Sequence, residues 1–418
     1  LINPFGASTA AGRQFLDSIQ VDDEVRRARG TTDTVDLKFS RPLARMSGGE
    51  ATLALGAEVR RERASSSASE LLLSDNIAGD PTPGDAQTRT FSRTVKAVFG
   101  ELVLPLSKTL ELGLALRHDR YDVIGGSTNP KASVRWRPSE KALLRASVGT
   151  GFRAPSLDDM YRPNKTGATA TLADPVCMAE NDNDLGFCAD LWETRTYANP
   201  NLKPERSTQW SLGVVLQPAA NVSFSADYWA ITKRDLISTI GDDVILSNLD
   251  KYEPLVHRYN EDEGLDGCDY DPSDSAICFI ELRKENRGRQ KTAGIDLALD
   301  VKGLKTGIGQ FGVRVAGTLA LVSKKQTGYG DPYISNLGRF VTDGAVQRWR
   351  HRVTLDWSAG NWSAALSNSY LSSHVDQNNA IDTNTGSVVA AGRVKAYSLW
   401  DLTGSWQPAK GWTLRGGV

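Results

Sequence analysis

Four histidines, four cysteines and several clusters of acids are the residues of this 418-residue chain that could do chemistry. His118, His257, His351 and His374 stand far apart, and none has a Cys or Glu partner at metal-ligand spacing. No G-x-S-x-G elbow, Walker loop or dinucleotide-binding glycine pattern occurs. Paired carboxylates are present, but two acids in a loop do no hydrolysis without a cleft. No catalytic residue is expected, and an enzyme finds no support. Two acidic segments carry the oxygen donors calcium favours, Asn181-Asp-Asn-Asp-Leu-Gly186 and Asp266-Gly-Cys-Asp-Tyr-Asp271 with Asp274. The first lacks a downstream Glu at the proper spacing, and acidic surface loops are ordinarily just solvated, so the expectation is no metal and no cofactor.

The cysteines fall as two local pairs, Cys177 with Cys188 and Cys268 with Cys278. Four Cys permit three connectivities. Local pairing is the simplest, fits an oxidising compartment, and would stabilise each loop by roughly 3 kcal/mol in the chain-entropy model. The competing reading, a Cys-rich metal site, finds no His at finger-like spacing.

The elements that must position these loops are strands. Mean hydropathy is -0.35 and no run of about 18 apolar residues occurs, which excludes a helical membrane span. A barrel strand hides its apolar half in alternation, so a membrane barrel stays open. In Leu110-Glu-Leu-Gly-Leu-Ala-Leu116, the leucines point one way and Glu111, Gly113 and Ala115 the other. Val222-Ser-Phe-Ser-Ala-Asp-Tyr228 repeats this, as do Trp210 to Leu216, Phe311 to Leu319 and Val353 to Trp357. Roughly fourteen strands follow, near 34–42, 50–63, 89–105, 109–121, 130–138, 142–152, 207–217, 221–235, 289–301, 309–322, 347–359, 361–373, 394–407 and 411–418. Short turns at residues 106–108, 138–140, 218–220, 359–361 and 408–411 alternate with longer connections at 64–87, 123–129, 152–206, 236–287, 323–346 and 374–393. That two-sidedness belongs to outer-membrane barrels, and loops of some fifty residues are unusual in soluble sandwiches. Trp136, Tyr228, Trp229, Trp357, Trp362, Tyr397, Trp406 and Trp412 lie near strand ends, where interfacial girdles sit. A net charge of -1 suggests no nucleic-acid partner.

Two motifs narrow the class. One strand ends in Gly149-Thr-Gly-Phe-Arg-Ala-Pro-Ser-Leu-Asp-Asp-Met-Tyr161, and a later one starts from Asn199-Pro-Asn-Leu-Lys-Pro-Glu-Arg-Ser207. The pair resembles the signature of TonB-dependent outer-membrane receptors, with Asp159-Met160 in place of the usual Glu-Leu. The motif positions are Gly151, Arg153, Ala154, Pro155, Ser156 and Tyr161, then Asn199, Pro200, Leu202, Lys203, Pro204, Glu205 and Ser207. A structural role is the plainer reading, because Pro155 lacks an N–H and ends a ladder.

The resemblance implies an antiparallel transmembrane barrel of twenty-two strands around a plug. It covers residues 34–418, with 1–33 expected to be part of a preceding surface loop. Leu1-Ile-Asn-Pro-Phe5 shows no initiator Met or leader, and the chain stops at Val418 inside an expected strand. The expectation is therefore a piece of a longer receptor, truncated at both ends. The implied partners are the TonB complex acting through the plug, outer-membrane lipid, and a small-molecule or oligosaccharide ligand, with the receptor a monomer. The resemblance assigns ligand recognition to the long loops and to the plug apices, with Tyr161, Arg162, Trp192, Arg195, Tyr197, Tyr252, His257, Tyr259, Tyr329 and Tyr333 as aromatic and basic candidates in the loops. The competing functions are a passive porin, which would leave the motif pair unexplained, and a secreted carbohydrate-active enzyme. The enzyme would need strands apolar on both faces.

Overall fold

Alternating strands joined by short turns can satisfy their backbone groups only by pairing with their neighbours, and that is how the chain is arranged. The computed structural model describes all residues except 1–5, 21–23, 74–88, 163, 260–267, 269–270, 272–274, 342–343, 377–379, 382–387 and 390–391. Strands β1 (Arg26–Met46), β2 (Gly49–Ala68), β3 (Arg89–Pro105), β4 (Leu110–Tyr121), β5 (Gly125–Ser139) and β6 (Ala142–Arg153) pair antiparallel in chain order. β7 (Lys165–Ala173) and β8 (Ala189–Tyr197) leave this sheet. It resumes with β9 (Glu205–Ala219) against β6, then β10 (Val222–Ser238). β11 (Val256–Arg258) and β12 (Ile277–Arg283) leave it again, and β13 (Glu285–Thr306) and β14 (Gly309–Gln326) continue it. The short β15 (Ile334–Ser335) pairs with β14 beside β16 (Trp349–Ala359) and β17 (Trp362–Leu371). Two-residue ladders, β18 (His374–Val375) with β21 (Arg393–Val394) and β19 (Ala380–Ile381) with β20 (Val388–Val389), precede β22 (Tyr397–Trp406) and β23 (Leu414–Gly417). The long path has fourteen strands, the number read from alternation. Among the described residues β1 and β23 do not pair with each other.

The strands differ from expectation at their loop-side ends. β1 starts at Arg26, with Arg26 opposite Ala68 and Thr34 opposite Arg60, so residues 26–33 are strand rather than surface loop. Arg26-Arg-Ala-Arg-Gly-Thr-Thr-Asp33 lacks apolar alternation because this part of the ladder needs none. Helix α1 (Ala10–Ile19) precedes it, capped by Thr9, whose hydroxyl accepts from Gly12 N at 3.1 Å. The longer connection expected at 123–129 is a tight turn, because β4 and β5 stay in register out to Tyr121 opposite Gly125. Gly125 has φ +83°, which side-chain-bearing residues avoid.

Cross-strand register separates the two faces. One carries Leu102, Leu114 and Ala132 in a row, then Leu212 opposite Tyr228, and Leu355 opposite Leu366 opposite Leu402. Leu114, Leu212, Leu366 and Leu402 remain substantially exposed. The other face carries paired charges. Arg145 meets Asp227 at 2.7 and 2.6 Å across the intervening Gly213, where a Cβ would overlap the Asp227 carboxylate. Arg314 donates to Asp356 at 3.0–3.1 Å. At the short-turn end the indoles of Trp362 and Trp406 stack across strands, 5.3 Å apart, as a girdle requires. Trp229 does not belong to the girdle: register puts it opposite Gly294 on the polar face, with its ring against that glycine. Tyr397 also falls on the polar face, opposite Leu371 and in step with Asp401.

Candidate functional site

The two sequence motifs, far apart in the chain, are adjacent strand ends. Gly151 lies opposite Ser207, Phe152 opposite Arg206, and Arg153 opposite Glu205. Gly151 is needed there, because a Cβ would stand 2.9 Å from the Ser207 hydroxyl. The Arg153 guanidinium donates to Glu205 at 2.7 Å and lies 3.6 Å from Asp159. Glu205 Oε1 also accepts the backbone N–H of Ile237, at 2.8 Å, which ties the end of β10 to the same point.

Past β6 the chain turns at buried Pro155, whose carbonyl accepts from Arg93 of β3. Ser156 caps α3 (Leu157–Tyr161), which follows α2 (Glu70–Leu73) in the chain. Ser156 and Asp159 form a reciprocal capping box, each side chain taking the other's backbone N–H at 3.0 Å. Ala154 is half-buried, while Leu157, Met160 and Leu202 are buried. Asp159 binds Lys284, and Asn199 donates its side-chain amide to the Lys284 carbonyl at 2.9 Å. Asn286 accepts from Lys203 N at 2.7 Å and donates back to the Lys203 carbonyl. Pro200 and Pro204 hold the return between these anchors. Burial by itself would raise the Asp159 carboxyl, but the Lys284 ammonium and the Ser156 donors outweigh it and hold the group below the usual carboxylate range. The motif is therefore a clasp binding β3, β6, β9, β10 and β13 at their loop-side ends. Arg93, Lys284 and Asn286 escaped the sequence reading. Lys284 and Asn286 carry only a faint signal, a polar Lys-Glu-Asn at the start of β13, and Arg93 inside β3 carries none.

The long loops do not stay separate. β7 and β8 from one, and β11 and β12 from the other, form a four-stranded sheet in the order β11-β12-β8-β7. β8 and β12 pair in parallel, Phe279 opposite Glu193 and Arg283 opposite Tyr197. Helices α4 (Pro175–Glu180), α5 (Leu185–Cys188), α6 (Asp242–Leu246) and α7 (Leu249–Tyr252) accompany it. Ile240, Ile245, Leu246, Tyr252, Val256, Ile277 and Ile280 make a buried core, with Trp192 packed against it. Both expected disulfides are present, Cys177–Cys188 and Cys268–Cys278. A buried ion pair joins the loops: Arg258 donates to both oxygens of Asp174 at 2.7 and 2.8 Å. In the first acidic segment Asp184 caps α5 through Gly186 N at 2.9 Å, while Asp182 and Asn183 turn the chain with positive φ. Asp266, Asp269 and Asp274 of the second lie outside the described residues.

The candidate ligand residues separate accordingly. Trp192 gives its indole N–H to the Leu172 carbonyl at 2.8 Å, and Arg287 donates to the buried Tyr252 hydroxyl at 2.9 Å. Arg195 covers the Phe279 ring at 3.8 Å, His257 stacks on it at 4.4 Å, and Tyr259 packs on the second disulfide. Tyr197 is half-buried on β8. Tyr161 stacks on Phe91 at 4.8 Å, and Arg162 pairs with Asp158. Tyr329 is exposed and gives its hydroxyl proton to Asp235; Tyr333 lies between the ammonium groups of Lys291 and Lys324. The structure does not bring the ten into one cleft. Most build the loop sheet.

A sheet apolar on one face and charged on the other, clasped at the end where its long loops gather, has the two-faced make-up of a membrane-barrel wall. The family model for the TonB dependent receptor-like β-barrel matches residues 3–418, and the chain belongs to that family. Among solved structures it is similar to the ferric enterobactin receptor PfeA of Pseudomonas aeruginosa at 18% identity and TM-score 0.65, covering 93% of this chain and 48% of that one. It is similar to the siderophore receptor PirA of Acinetobacter baumannii at 14% identity and TM-score 0.64, covering 95% and 51%. The hemophore receptor HasR of Serratia marcescens, solved with its hemophore HasA and heme, aligns at 16% identity and TM-score 0.57, covering 94% and 56%. The chain thus spans about half the length of the solved receptors it matches. A comparison with curated proteins found no match.

Proposed function

We propose that this chain is the barrel wall of an outer-membrane receptor that imports a scarce ligand, energised by TonB through a plug domain. The ligand binds at the loop end, and the wall does no covalent chemistry. The observation that carries this reading is the clasp: both motif halves join in register at the loop-side end of a membrane-sized sheet. Siderophore-bound iron is the first ligand class to try, because PfeA and PirA are siderophore receptors; haem, cobalamin and oligosaccharides follow. The test is uptake in a Gram-negative strain deleted for the full-length gene. Ferric enterobactin, haem, cobalamin and a maltodextrin serve as probes, with and without a proton uncoupler. Loss of uptake of one probe on deletion, with the same loss under the uncoupler, supports the reading. Uptake that needs the gene but ignores the uncoupler and TonB would make the protein a passive porin.

A further inference from the structure

The loop sheet has one covered face and one partly bare one. Leu172 of β7 and Trp192 of β8 pack against the buried core. Strand residues alternate between faces, so Leu191, next to Trp192 and opposite Thr171, belongs to the other face. Over β12 that face is covered, because Phe279 is buried under Arg195 and His257. Over β7 and β8 it is open. Leu191 is 60% exposed, and β7 ends the sheet order among the described residues. The ladder runs on to Asp174, whose N–H donates to the Cys188 carbonyl at 2.9 Å, so α5 stands at its end. On α5, Leu185 is 62% and Phe187 72% exposed. Cys188 of the same helix is buried and bonded to Cys177, and Asp184 caps the helix start. The apolar knuckle is therefore pinned in the open, and burial against a partner would stabilise it.

The charges around the knuckle are of one sign. Glu180, Asp182, Asp184 and Asp190 flank it and are exposed. Among the described residues none of the four pairs with a cation, and the sequence holds no Lys or Arg between Lys165 and Arg195. The bias extends over both joined loops. Residues 154–204 and 239–284 carry twenty Asp and Glu against eight Lys and Arg, although the whole chain has a net charge of only -1.

Charge selects the occupant. A second copy of this acidic surface would be repelled, and so would anionic lipid headgroups, because like charges brought together across an interface oppose binding. Shape selects it too. Side chains that stand out from the surface need a partner that brings the pocket to bury them, with Phe187 as the aromatic anchor. We propose that the knuckle of Leu185, Phe187 and Leu191 docks a cationic polypeptide with apolar side chains of its own, steered by the surrounding carboxylates. The proposal rests on the outer-membrane reading above only in that the loop sheet then faces the medium.

The test uses the purified full-length receptor in nanodiscs of zwitterionic lipid, with empty nanodiscs as the blank. Three short fluorescent peptides serve as probes, alternating Lys with Leu, Lys with Ser, and Glu with Leu. Fluorescence anisotropy should show the Lys–Leu peptide binding about tenfold tighter than either of the others, and several-fold weaker in high salt. Hydrogen exchange should slow at residues 185–191 when it binds. The triple variant Leu185→Ser, Phe187→Ser, Leu191→Ser should lose about fivefold or more in affinity, with exchange at β8 and β12 of the free receptor unchanged. The variant Glu180→Gln, Asp182→Asn, Asp190→Asn should flatten the salt dependence. Equal binding of the Lys–Leu peptide and either of the others by the wild type would overturn the proposal without any variant. So would an unchanged affinity in a folded triple serine variant, or protection confined to other parts of the receptor. None of these measurements uses the imported ligand, so failure of the import reading would show in uptake alone.

Discussion

Arg153 and Glu205 are direct cross-strand partners 52 residues apart in sequence, and their charges meet at 2.7 Å where the two motif halves join. The two residues are unequal. Arg153 is half exposed, whereas Glu205 is buried and also holds Ile237 N. Glu205→Ala should therefore cost about 2 kcal/mol, since it strands a guanidinium and a backbone donor. Arg153→Ala should cost under about 1 kcal/mol, as exposed pairs do. Thermal unfolding of the detergent-solubilised receptor compares them, and the reverse order would mean that the charge pair, not the Ile237 contact, dominates.

Acid should loosen the clasp at α3. The folded Asp159 carboxyl sits below its ordinary value of about 3.9, so its contribution is fully present above that pH. It is lost as pH falls through the depressed folded value. Limited proteolysis of residues 154–204 between pH 5 and pH 2 should show increasing cleavage, and Asp159→Asn should be cleaved to a similar extent across the range.

Arg258→Leu leaves the Asp174 carboxylate buried without its cation and should destabilise the loop sheet by about 3–5 kcal/mol. The double change Asp174→Leu with Arg258→Leu should recover part of that loss. Hydrogen exchange at β8 and β12 reads both, and a double variant worse than the single would contradict the assignment.

Leu114→Arg puts a charge on the apolar face between Leu102 and Ala132, at a cost of about 2–4 kcal/mol near mid-bilayer. Glu111→Gln, on the polar face beside Arg135 at 3.2 Å, should assemble normally. Heat-modifiable gel mobility of outer-membrane fractions separates the two; equal assembly would contradict a lipid-facing Leu114.

Strands within the apolar belt were legible because lipid imposes period two on one face: Leu110 to Leu116 could be read off directly. Arg26 to Asp33 escaped because that part of the ladder stands where either face tolerates polar residues. The motif positions were legible as types, but their partners Arg93, Lys284 and Asn286 were not, since hydrogen bonds to backbone carbonyls and amides leave no periodic trace. The loop sheet was hidden for another reason. Ile277-Cys-Phe-Ile280 is a plain apolar run, and nothing in it says that its partner is Thr194 in another loop.

The parallel seam between β8 and β12 sets an order of events for assembly. Each disulfide closes a segment of 11 or 10 residues and can form as soon as the chain meets an oxidant. The Asp174–Arg258 pair spans 84 residues, and the seam joins strands about as far apart in the chain. Their loop-closure cost falls once the β9–β10 hairpin has brought both loop bases together. The expected order is therefore oxidation first, the wall second, and the joined loops last.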